Sequence, residues 1–179
     1  MAMTILSILL GSAVASHLFG MRLMGITNAK GSASAEACRH ILLLTPEICS
    51  SRMVAVGDGN LSSFSEAGMD APQRGSALQI YPSSDTNVFI RYFLDSSDNR
   101  LKRMTNGASI AVVVASGISN SDVFTAEDFS GNVLSNSEDN CAIGLTLQFY
   151  QVPGADLSIG PTSFYKSFQV QTKIAQRAL

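Results

Sequence analysis

The sequence predicts an α+β protein: one long N-terminal helix, membrane-spanning in its first half and amphipathic in its second, packed on an antiparallel β-sheet. Three features carry that reading. No charged side chain precedes Arg22, so the chain opens on a long, mostly apolar stretch. Apolar residues then recur at three- and four-residue steps from about 34 to 53, and beyond Gly57 they alternate with polar ones. A helical period followed by hairpin-connected strands is the pattern of an α+β domain. The expected divisions are a transmembrane helix at 1–27, an amphipathic helix continuing it at 28–56, and a β-rich head at 57–179.

In the first segment only Thr4, three serines and His17 interrupt the apolar run of residues 1–21. As a helix, this run reaches about 31 Å, close to the ~30 Å hydrocarbon thickness of a bilayer. The hydroxyls do not disqualify a span, because Ser and Thr can bond back to helix carbonyls. A cleaved secretory signal is the competing reading, since Ala13-Val14-Ala15 forms an A-x-A site. Against cleavage, no Lys or Arg precedes the run, and the chain from His17 to Ile26 would remain as an apolar N-terminus. A buried helix of a soluble core is the third alternative.

Small residues recur every fourth position, with Ser7, Gly11 and Ala15 on one stripe and Ser12, Ser16 and Gly20 on the next. In lipid, such stripes let two helix backbones approach closely, so these six are the expected helix-packing residues. Gly and Ala are also simply common in spanning helices. Orientation is contradictory: Arg22, Lys30 and Arg39 follow the span with nothing basic before it, which places the C-terminal part in the cytoplasm.

The amphipathic helix follows from Ala37, Ile41, Leu44 and Ile48 on one face, with Glu36, Arg39, Glu47 and Arg52 elsewhere. Pro46 removes a backbone donor and is expected to kink or break the helix near Thr45. Gly57-Asp58-Gly59-Asn60 then marks a turn. Leu78 to Tyr81 reads as a short strand stopped at Pro82. Residues 88–104 read as a hairpin, because Val88, Ile90, Tyr92 and Leu94 alternate before the turn residues Asp95 to Asn99. The continuous apolar run at 110–115 reads as a buried strand. Ile143, Leu145, Leu147 and Phe149 give the cleanest two-residue period. Phe164, Phe168, Val170 and Ile174 line one face of a last strand.

Composition excludes several functions. The 179 residues suffice for one domain with a core, 46% of them are hydrophobic, and only 15% are charged. The 12 Lys+Arg against 14 Asp+Glu give a net charge of -2, without the basic excess of a nucleic-acid binder. His17 and His40 have no second ligand at metal spacing. No nucleophile elbow, P-loop or dinucleotide fingerprint occurs. Asp58-Gly59-Asn60-Leu61-Ser62 resembles the start of a calcium loop but lacks the distal glutamate, and a plain turn is the better reading. Glu138-Asp139 reads as a solvated acidic step. Cys38 and Cys49 lie about 16 Å apart along a helix, beyond the ~7 Å a disulfide allows, so three reduced thiols are expected, Cys141 included. No catalytic, cofactor-binding or metal-binding residue is assigned, and the protein is not expected to be an enzyme.

An apolar helix, an amphipathic continuation and a β-rich body together resemble the type IV pilin-like proteins. Ala2-Met3-Thr4-Ile5-Leu6-Ser7-Ile8-Leu9-Leu10-Gly11 is similar to the segment just after the prepilin signal. The hairpin at 88–104 and the tail Gln171-Thr172-Lys173-Ile174-Ala175-Gln176-Arg177 are similar to elements of minor pseudopilins. The resemblance implies a structural filament subunit of a type IV pilus or type II secretion system, held in the bacterial inner membrane with its head in the periplasm. Its implied partners are other pilin or pseudopilin subunits through the N-terminal helix, inner-membrane lipid, and a prepilin peptidase if the full-length chain carries the motif. The family's Gly-Phe-Thr-Leu-x-Glu string and its basic leader do not occur in residues 1–179. The start therefore falls at an internal methionine, or the chain is a fragment, or it is a relative that is not processed. A basic leader would also resolve the orientation conflict. The alternative function is a secreted or periplasmic β-rich binding protein released by signal cleavage.

Overall fold

A computed structural model describes residues 2–106, 108–136, 142–150 and 167–176. The architecture is α+β, an N-terminal apolar helix followed by two antiparallel sheets. Helix α1 spans Ala2–Cys49, 48 residues, or about 72 Å at 1.5 Å per residue.

Two helix expectations are corrected. The helix continues through Pro46 instead of breaking near Thr45. Proline deletes the bond to the Leu42 carbonyl, but Leu42 is on the solvent side of the helix, and the neighbouring Thr45 hydroxyl donates to the Ile41 carbonyl at 2.8 Å. The helix then ends at Cys49, short of the expected 56. Ser50 and Ser51 hydroxyls donate to the carbonyls of Pro46 and Ile48, both at 2.7 Å, and satisfy groups that a helix end leaves open. The next amide, Arg52 N–H, bonds Tyr81 O at 2.9 Å and hands the chain to a sheet. Strand β1, Met53–Gly59, contains Val54-Ala55-Val56, buried on both faces and favoured in a central strand.

The remaining strands are β2 (Phe64–Glu66), β3 (Arg74–Gly75), β4 (Ala77–Tyr81), β5 (Ile90–Asp95), β6 (Arg100–Thr105), β7 (Val112–Ser116), β8 (Phe124–Glu127), β9 (Ala142–Tyr150) and β10 (Ser167–Ala175). They form a six-stranded sheet, β2-β1-β4-β5-β6-β7, and a four-stranded sheet, β10-β9-β8-β3, both antiparallel throughout. The predicted hairpin is β5–β6, with Leu94 opposite Leu101. The run at 110–115 is only half buried, because β7 is an edge strand: Val114 and Ala115 face the core while Ile110 and Val112 are exposed. Phe164 lies outside the described residues, and β10 buries Ile174 as expected.

The core fills the space between the sheets. The larger sheet contributes Val54, Val56, Leu78, Ile80, Tyr92 and Leu101, and the smaller Phe124, Ile143, Leu145, Leu147 and Phe149. Leu44 and Ile48 from the end of α1 complete it, with Ile41 packed at its margin. Of α1, then, only the last turns belong to the head. Where the chain crosses from β3 to β4 the sheets nearly touch. A Cβ on Gly75 would collide with the Gly57 carbonyl, and one on Gly57 with the Ser65 carbonyl, so both positions require glycine. Asp58 Oδ1 pins this corner by accepting from Ser76 N–H at 3.0 Å and Ser76 Oγ at 2.9 Å.

Candidate functional site

The apolar half of α1 is the feature that the head does not explain. Met3–Met21 has a mean hydropathy of 1.6, and none of it is buried against the rest of the protein. By length and composition it can cross a membrane, and a signal sequence passes the same test. Ser7 Oγ donates to Met3 O and Ser12 Oγ to Leu9 O, each at 2.9 Å, so two of the polar interruptions are satisfied within the helix itself. All six predicted packing residues, Ser7, Gly11, Ala15, Ser12, Ser16 and Gly20, are exposed. A Cβ added at Gly11 or Gly20 meets nothing within 4 Å. The two stripes thus present open backbone that no described part of the head covers.

A polar lock that sequence reasoning missed fixes this helix to the head. Glu47 points from the last turns of α1 toward the larger sheet. Its Oε2 accepts from Tyr92 Oη at 2.7 Å, and its Oε1 accepts from Arg103 Nη2 at 2.6 Å and Nε at 3.1 Å. Tyr92 and Arg103 are register partners on β5 and β6, so their side chains emerge together on the core face. Arg103 also lies over the Tyr92 ring, 6.0 Å from its centroid. Burial first, then the bond to the Glu47 carboxylate, raises the Tyr92 pKa far above that of an ordinary phenol. The Glu47 bond also raises the pKa of Arg103. The sequence showed Glu47 off the apolar face of its helix, which marks a polar contact without naming its partners.

The last strand clamps the helix exit. Cys49 Sγ donates to Ala175 O at 3.5 Å, and Gln176 Nε2 donates to Arg52 O at 3.0 Å. Cys38 and Cys49 are free thiols on the unbroken helix, while Cys141 and Glu138-Asp139 lie outside the described residues.

Other polar groups are committed to structure. Asn60 Oδ1 accepts from the amides of Ser62 and Ser63, at 2.9 and 2.8 Å, which caps the β1–β2 hairpin turn at residues 60–63, while Asp58 and Gly59 belong to β1 itself. A cleft of about 650 Å³ opens beside that turn, with Asp58, Asp95, Asn99 and Asn120 as well as Phe64, Leu94 and Ile118 in its lining. Asp95 in it is bonded to Lys102 and Ser97, and Asn120 is bonded to the backbone of Thr146 and Gln148. On the smaller sheet Lys173 pairs with buried Glu127 across Gly144. Among the described residues no group of three or more His, Cys, Asp or Glu is placed to hold a metal ion. This arrangement anchors, packs and orients the end of the helix.

No protein-family model, curated protein or solved structure matches the chain.

Proposed function

We propose that the protein is a structural subunit, a minor pilin or pseudopilin, of a type IV pilus or type II secretion filament. Its N-terminal helix anchors it in the inner membrane before assembly and bundles with the helices of other subunits in the filament core. The β-rich head stays in the periplasm and clads the bundle. The observation that carries this reading is the division of α1: an apolar half, Met3–Met21, that is not buried among the described residues, and a C-terminal end locked into two sheets. Hydrophobic side chains exposed along a helix need lipid or other helices, and small-residue stripes suit helix-on-helix contact.

Signal cleavage after Ala15 would remove only part of the apolar surface. Leu18, Phe19, Met21, Leu23 and Met24 would still be exposed on a soluble product. A basic leader would place the N-terminus in the cytoplasm and the head outside.

Fractionation and N-terminal sequencing of the mature protein test the proposal. Recovery in the membrane fraction, released only by detergent, with a head open to protease added to spheroplasts, is the expected result. A soluble periplasmic protein beginning at Ser16 overturns it. An in-frame basic leader with Gly-Phe-Thr-Leu-x-Glu upstream of the Met1 codon would support filament assembly specifically.

A further inference from the structure

The outer face of the larger sheet, opposite the main core, carries a buried cation with no counter-ion among the described residues. Arg91 is 5% exposed, yet no carboxylate lies within ion-pair distance of it among the described residues. Buried charges are normally paired, because taking an ion out of water is costly. Here the guanidinium is held instead by neutral groups. It lies 4.9 Å from the Phe89 ring centroid and 5.6 Å from that of Phe64. Its Nε donates to Gln79 Oε1 at 2.8 Å, and its Nη1 to Asn60 O at 2.9 Å.

The hydrogen bonds run in one direction and stop at unused donors. Arg91 has only N–H groups to give, so its bond fixes the Gln79 amide with the oxygen toward Arg91. The other end, Gln79 Nε2, then donates to Tyr81 Oη at 2.6 Å. The Tyr81 proton is left to donate, and it has no acceptor among the described residues. Arg91 Nη2 likewise makes no hydrogen bond there and is not sealed from solvent. Gln79 and Tyr81 are two apart on β4, and Gln79 is the register partner of Arg91 on β5, so all three share one face. Burial lowers the pKa of Arg91, which is the direction expected of a cation that lacks its anion.

We propose that Arg91 and Tyr81, bridged by Gln79, form a binding site for an oxyanion, a carboxylate or a phosphate group. Guanidinium N–H and phenol O–H are the donors, and the Phe64 and Phe89 rings lie against the guanidinium. The site stands whether or not the chain assembles into a filament.

Full-length protein in detergent micelles, titrated with sodium acetate and separately with sodium phosphate at constant ionic strength, tests this by the backbone amide shifts of β4 and β5. Saturable shifts are expected with at least one probe; tighter acetate binding identifies a carboxylate ligand, and tighter phosphate binding a phosphate. Arg91→Gln should abolish saturation, and Tyr81→Phe should weaken binding about three- to tenfold. Should Arg91→Gln not fold, Tyr81→Phe decides, since it keeps the ring of this half-buried residue and removes one hydroxyl, whose only bond among the described residues is the one accepted from Gln79. Shifts that do not saturate, or that saturate equally in wild type and Tyr81→Phe, overturn the site.

Discussion

Replacing Glu47 tests whether the polar lock holds the stalk to the head. The carboxylate accepts three bonds of 3.1 Å or shorter, one from Tyr92 and two from Arg103. Tyr92 is almost wholly buried, whereas the Glu47 and Arg103 side chains are 20% and 27% exposed. A hydrogen bond to a charged group contributes about 1.5–3 kcal/mol, and partial solvent access discounts the ionic part. Glu47→Gln, which keeps the shape and removes the charge, should therefore cost about 1–2 kcal/mol. Glu47→Ala should cost about 2–3 kcal/mol, because the Tyr92 hydroxyl is then buried without a partner. The assay is urea unfolding of the full chain in micelles, followed by circular dichroism, with Arg103→Met and the double variant completing a cycle. A coupling of about 1 kcal/mol is expected between residues in direct contact. Coupling below about 0.3 kcal/mol would refute the lock, leaving apolar packing by Ile41, Leu44 and Ile48 and the Cys49–Ala175 contact to hold the helix.

Four further outcomes are expected. Tyr92 has a raised pKa in the folded state, so its contribution is complete below the ordinary phenol range and fades as pH rises beyond it; Tyr92→Phe should flatten the alkaline limb of a stability–pH curve. Asp95 runs the other way: Lys102 first, and then Ser97, lowers its pKa to about 2, so its contribution is present above the usual value of 3.8 and is lost as pH falls toward 2. Because this pair is solvent-accessible, Asp95→Asn should cost under ~1 kcal/mol at neutral pH and make acid unfolding shallower in that window. Gly75→Ala drives a methyl into the Gly57 backbone, which cannot yield as a side chain can, and should cost about 3 kcal/mol or more by thermal unfolding. Gly11→Leu should weaken helix association in a membrane two-hybrid reporter while leaving the urea midpoint of the head unchanged, since nothing in the head touches Gly11.

Much of this fold is legible from side-chain periodicity, and the exceptions have identifiable causes. The alternation from Ile143 to Phe149 and the β5–β6 hairpin emerged where the sequence placed them, because one buried face imposes a two-residue period. Met53 to Val56 were assigned to the helix because a short apolar run carries no period of its own; only the pairing of Met53 with Tyr81 and Val54 with Ile80 makes it a strand. β3 and β8 carry no legible period, since two and four residues are too few for a pattern. Exposure of Ile110 and Val112 reflects an edge position, which a local run of apolar residues cannot reveal. In the candidate site the six small residues were readable as spacing. The Glu47–Tyr92–Arg103 lock was not, because its members are separated by 45 and 56 positions from the glutamate and meet only after the sheet has formed.

The seating of the helix end has a mechanical consequence. The last turns of α1 rest against β7 and β10, one edge strand from each sheet, and Gln176 ties the segment after the helix to the tail of β10. A pull along the stalk therefore divides between two ladders instead of falling on a single strand. The β7 and β10 edges cannot open without first breaking contact with the helix that loads them, so tension along α1 bears on the very surface that keeps those two edges closed.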